Sequence, residues 1–300
     1  MNGRRQAALR GRWIGVAVCL AAVLLAGSGC SRQKLLVYST VPLIDAALAE
    51  TFSSADIETA RQGIPGQILL LRGLCRSDPG NTDVWTTTVQ LYASYALIFV
   101  GDEDPGYATE LYREGRELGS RFLRRIDWFA EAWDAGPDAL RRRIAAEQPR
   151  DLAPLLLWTG ACLGQYVLAN LDRPREMLDL PYVYVLLEAA IDLEPSYFYG
   201  MPYAVMGMTL ATIPQGLGGN LEQSRRYFEQ AFAVAGEDFL LHRVFYARYH
   251  NVMALDEAEF TATLEDVLVH DPRAMPAVRF INTVSQQRAR ELLEQRYELF

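Results

Sequence analysis

The residue with the clearest chemistry is Cys30. It directly follows Gly27, Ser28 and Gly29, which close a charge-free run from Trp13 to Ala26 behind Arg4, Arg5, Arg10 and Arg12. A basic stretch, a short apolar run and small residues are the parts of an export signal peptide. The run is about 14 residues long, short of the roughly 20 that a permanent membrane-spanning helix needs. A thiol at this cleavage point resembles the lipobox cysteine, which is acylated with diacylglycerol and becomes the first residue of the mature chain. Gly27 departs from the Leu that the pattern prefers, with Leu25 two residues earlier. A plain signal peptide with an incidental cysteine is the competing reading. An anchor of this kind needs more than one acyl chain, because a single chain binds a membrane only marginally.

The other reactive side chains do not assemble into a catalytic pattern. His242, His250 and His270 are the only histidines, and the first two are two helical turns apart, too far to share one ion in a short motif. They read as surface or partly buried helix residues. Cys75 and Cys162 lie among apolar neighbours, as buried structural thiols do. Gln215 to Gly219 could cradle an anion at a helix start, but loop geometry ahead of Asn220 is sufficient reason for its glycines. Asp102, Glu103 and Asp104 form a solvated acidic cluster. No phosphate loop, nucleophile elbow or dinucleotide fingerprint is present. The expectation is a binding protein without cofactor or metal, not an enzyme.

What would position a binding site is a set of helices. Apolar residues recur at spacings of three and four, as in Trp85, Val89, Tyr92, Ala96 and Phe99, or Phe260, Leu264, Val267 and Leu268; alternating strand patterns are almost absent. Asn220 with Gln223 three residues on has the layout of a capping box. Breaks are expected at Asp78-Pro79-Gly80, Asp104-Pro105-Gly106, Gly136-Pro137, Glu194-Pro195, Pro214 to Gly219 and Asp271-Pro272. Ser224, Phe228 and Ala231 fall on the small-large-small positions of a tetratricopeptide second helix, and Pro195 and Pro272 close two more such helices. The fold class is all-α, with degenerate tetratricopeptide-like helical hairpins forming a compact domain. The expected layout is a signal peptide over 1–29, an anchor and tether over 30–42, and the helical domain over 43–300.

Three long stretches carry no charge: Val84 to Gly101, Leu152 to Leu171, and Pro195 to Leu221. A helix apolar all round is covered on every side, faces a cavity or meets another subunit. Prolines and polar aromatics argue against reading these stretches as membrane spans. Their tyrosines, methionines and tryptophan suit an adaptable pocket, and Trp158, Tyr166, Tyr199, Tyr203 and Met206 are the candidate lining. The whole chain carries −8, and the export segment holds four arginines and no acid, leaving −12 on the remainder. That balance disfavours nucleic acid as a partner.

The segments LPYVYVLLEAAIDLEPSYFYG, IPQGLGGNLEQSRRYFEQAFAVAGEDFLL, YARYH, LEDVLVHDP and INTVSQQRARELLEQRYELF occur in order between Leu180 and Phe300. They resemble the T-component lipoproteins of tripartite ATP-independent periplasmic (TRAP) transporters. LLWTGACLG is similar to an earlier tryptophan-containing helix of that family. The most specific pieces are Pro214 with Leu217, Gly218 and Gly219, then Phe228-Glu229 with Ala231, and the close at Leu299-Phe300. The resemblance implies a lipid-anchored periplasmic protein built from cryptic tetratricopeptide repeats. It also implies homo-oligomers, a trimer among them, docking of the periplasmic substrate-binding protein, and an apolar pore able to accept a hydrophobic small molecule. Ser31 after the cysteine favours the outer membrane. A tetratricopeptide scaffold gripping extended peptides during envelope assembly is the alternative.

Overall fold

The computed structural model describes residues 43–44, 46–51, 53 and 55–300. Cys30, the export segment and the tether through residue 42 therefore lie outside the described residues. The described chain is helical, with no strand among the described residues. Helix α1 is Ile57–Ser77, and α2 is Thr82–Tyr95 running on through a π turn, Ala96–Val100. Pro105–Leu123 is α3, Asp127–Asp134 α4, Pro137–Glu147 α5, Ala153–Leu168 α6 and Leu180–Leu193 α7. Tyr197–Thr212 is α8 and Leu221–Ala235 α9. Helix α10 begins as Leu241–Phe245, passes through a second π turn at Tyr246–Asn251 and ends as Val252–Ala254; α11 is Glu257–Val269 and α12 Arg279–Glu294.

Short polar residues start these helices by accepting orphan backbone N–H groups. Asp56 accepts from Thr59, Asn81 from Val84, Asp104 from Tyr107, Asn220 from Gln223 and Asp256 from Glu259. All six expected breaks fall at helix boundaries. The Asn220 cap forms as expected, but its own N–H goes to the Leu210 carbonyl rather than to a capping-box side chain.

Helix α6 is the axis of the packing. It contacts α2, α3, α7 and α8, and 13 of its 16 residues are buried, which is why it can dispense with charge on every face. Close approach depends on glycine. A Cβ at Gly115 would lie 2.5 Å from Cys162 Sγ, and one at Gly119 would lie 2.0 Å from Thr159 Oγ1, so α3 seats its backbone directly on α6. The residues from α10, α11 and α12, among them Val244, Phe260, Leu264 and Leu292, close a separate smaller core.

The start of α8 is kinked. Phe198, Tyr199 and Gly200 have φ of 44°, 59° and 80°, a left-handed run that costs about 1–3 kcal/mol for each non-glycine residue unless its surroundings hold it. The His242 imidazole Nε2–H donates to the Tyr199 carbonyl at 2.7 Å, and the Tyr199 ring stacks on Phe239 at 4.8 Å. These contacts pin the kink.

Candidate functional site

The three charge-free stretches fold into α2, α6 and α8, and the three helices wall one apolar chamber. Ala93 and Leu97 come from α2, Trp158 and Ala161 from α6, and Phe198, Met201 and Met208 from α8. Leu241 and Phe245 of α10 and Ile281 of α12 close it. The inner chamber holds about 60 Å³. Two of its polar side chains are engaged: Trp158 Nε1–H donates to the Tyr197 hydroxyl at 3.3 Å, and Gln165 Nε2–H meets the Met208 sulfur at 3.9 Å.

A larger outer compartment of about 360 Å³ adjoins it, sharing Leu97, Ile98, Tyr112, Gln165, Leu241 and Phe245. Its far wall is more polar, with Asp102, Arg248, Tyr249 and Arg288. Both π turns contribute, through Leu97 and Ile98 in α2 and through Arg248 and Tyr249 in α10. A π turn inserts one residue into the helical register and re-aims the side chains after it, and such turns are common at functional sites.

The charges on this wall are unequal. Arg288 pairs with Asp102 and, at 2.9 Å, with Glu291. Beyond that pair, Arg61, Phe99 and Glu103 line a further cleft of about 240 Å³. The Arg248 guanidinium lies 5.8 Å from the Tyr249 ring centroid, and no acidic partner for it occurs among the described residues. Burial pushes the Tyr112 and Tyr249 phenols up, so both are neutral O–H donors near pH 7.

Of the five sequence candidates, Trp158 lines the inner chamber. Tyr166 lies under the Arg116 guanidinium, 3.9 Å from its ring centroid, in the contact that joins α6 to Asp179 through Arg116. Tyr199 is the kink residue, and Tyr203 faces the Tyr227 ring at 6.3 Å. Met206 lines a separate surface cleft with Tyr184, Glu188 and Tyr227. The fold thus does not bring the five together. The chamber residues that sequence reasoning missed on the charge-free helices include Leu97, Gln165, Met201 and Met208; the absence of charge points to their helices but not to their facing. Arg248 carries no such signal.

The histidine expectation needs correction. His242 is 0% exposed and His250 2% exposed, because α10 is enclosed by α8, α9, α11 and α12. His250 Nδ1 lies 3.0 Å from the Ser224 hydroxyl. Burial pulls the His242 pKa down to about 4, and its Nδ1 has no hydrogen-bond partner among the described residues. Cys75 and Cys162 are free and buried.

A pH dependence follows. An unfolded histidine titrates near 6.5, so between pH 6.5 and 4 the unfolded state binds a proton that folded His242 refuses. Its contribution is complete above pH 6.5 and falls by about 3 kcal/mol on the way to pH 4. Urea unfolding of the wild type and His242→Gln at pH 7 and 4.5 measures this: the wild type should lose more stability than the variant. Equal losses would contradict it.

Among the described residues no helix is long and apolar enough to cross a membrane. The family model described as TRAP transporter T-component matches residues 53–300. An uncharacterized protein of Treponema pallidum (strain Nichols) is 26% identical over 297 residues, covering 88% of this chain and 91% of the relative.

Proposed function

Because the chain belongs to the TRAP transporter T-component family, we propose that it is the lipid-anchored periplasmic accessory of a TRAP solute uptake system, binding the substrate-binding component and a small hydrophobic ligand. The observation that carries this reading is the chamber: the charge-free stretches of three helices meet around one apolar space that shares six lining residues with an outer compartment. Binding sites for apolar molecules are concave, mostly apolar and furnished with a few polar groups, and this one has that make-up.

The mechanism is a handover without covalent chemistry. The substrate-binding component docks where the outer compartment opens, and ligand passes between two apolar sites. Acylated Cys30 tethers the helical domain, residues 43–300, to the periplasmic face of the outer membrane, and self-association presents several such mouths to a diffusing partner. The packing of α8 on α9, with Gly207 against the Phe228 ring, supports a degenerate tetratricopeptide hairpin.

Affinity capture from periplasm with the anchored protein as bait should recover a substrate-binding protein. Its absence with and without added apolar ligand would contradict the docking reading. Incorporation of labelled fatty acid should be lost in Cys30→Ser; retained label would overturn the anchor.

A further inference from the structure

The polar wall of the outer compartment has a feature that an apolar ligand alone does not use. Three charged side chains line the compartment. Asp102 and Arg288 neutralise one another, with Glu291 on the second face of the Arg288 guanidinium. Arg248 is left over. It is half-buried, and among the described residues it has no ion-pair or hydrogen-bond partner, only the Tyr249 ring 5.8 Å away. A guanidinium kept partly out of water and unpaired is costly, and it is the side chain best shaped to receive a carboxylate on two N–H groups at once.

Arg248 is not alone. Tyr112 and Tyr249 line the same compartment, and neither hydroxyl has a hydrogen-bond partner among the described residues. Each is also kept protonated by its surroundings. A cation and two O–H donors thus share a wall, with no uncompensated acid among the residues lining it. Behind them, past Leu97 and Phe245, the space narrows into the inner chamber of Trp158, Phe198 and Met208. The arrangement is polar and cationic at one end and dry at the other.

We infer that the ligand is an amphipathic monoanion of the alkyl carboxylate class. Its head is held by Arg248 with Tyr112 and Tyr249, and its chain runs inward between Trp158 and Met208. This rests on the reading of the chamber as a ligand site and adds the chemistry of the head group. The π turn of α10 has a purpose in this arrangement, since it brings Arg248 and Tyr249, adjacent in sequence, onto the same wall. One unpaired cation selects one negative charge. A neutral head would leave the guanidinium unmatched, and a cationic head would be repelled.

The test is calorimetric titration of the chain carrying Cys30→Ser, so that no acyl group of its own competes, with dodecanoate, dodecanol and dodecylammonium at pH 7.4. Dodecanoate should bind at least about tenfold more tightly than dodecanol, the scale of one charge-assisted hydrogen-bonded pair, and dodecylammonium most weakly. Arg248→Gln should remove the preference for dodecanoate while leaving dodecanol affinity unchanged, which also shows that the variant is folded. Equal binding of dodecanoate and dodecanol to the unsubstituted site would overturn the head-group assignment and leave the apolar chamber standing. Equal weakening of both by Arg248→Gln would make Arg248 structural and overturn it too. Binding of none of the three would overturn the chamber reading itself.

Discussion

Gly119→Ala will destabilise the protein by about 2–3 kcal/mol, although alanine is the better helix former by about 1 kcal/mol. The new methyl would sit 2.0 Å from Thr159 Oγ1 and 2.9 Å from both Thr159 Cβ and Cγ2. Thr159 is fully buried on α6, so it cannot rotate into open space. The helices themselves must separate, and α6 cannot retreat because α7 lies close behind it, with Leu187 Cδ2 3.0 Å from a Cβ at Gly160. Gly63→Ala on α1 is the matched control. No described residue lies within 4 Å of a Cβ there, so helix propensity acts alone and the variant should gain about 0.5–1 kcal/mol. Urea midpoints of the two variants should move in opposite directions. A gain in stability in Gly119→Ala as well would show that α3 and α6 are not in backbone contact.

Ala161→Leu has its largest effect on binding. Ala161 forms part of the inner wall, and a leucine there occupies space that an alkyl chain would otherwise enter. Each methylene kept out of the chamber forfeits about 0.8 kcal/mol, so excluding three weakens binding roughly 50-fold. Stability should change little, because the added side chain enters existing space rather than packed atoms. Met206→Leu in the separate cleft beside Tyr184 and Tyr227 should leave dodecanoate and dodecanol affinity unaltered. A 50-fold loss in Met206→Leu, or none in Ala161→Leu, would move the ligand site from the chamber to that cleft.

The contrast between Trp158 and Met206 shows what sequence patterns can and cannot convey. Helix boundaries are local: Asn81, Asp104 and Asn220 with the Pro and Gly around them determine where backbone hydrogen bonding starts and stops, and every such break falls where expected. Lack of charge is also local, and it singled out the three helices around the chamber. Facing is not local. Which residues of α8 turn inward depends on the left-handed run at Phe198 to Gly200, held in place by His242 from a helix more than 40 residues away. Without that kink in view, Tyr199, Tyr203 and Met206 are indistinguishable from Met201 and Met208.

The π turns hide information in the same way. The sequence reads His250 as a surface or partly buried helix residue and gives no signal for Arg248. The inserted residue at Tyr246–Asn251 changes the helical register, burying His250 and leaving Arg248 on the chamber wall. The deepest part of the site was therefore visible as composition. Its polar end was not, because it is made by one charged residue in an otherwise ordinary segment.

A crystal of the Cys30→Ser chain grown with an alkyl carboxylate bearing a terminal bromine would locate the ligand outright. A single anomalous peak is expected between Trp158, Ala161 and Met208, with carboxylate density at Arg248. Bromine found only on the outer surface, with the chamber unfilled, would contradict it.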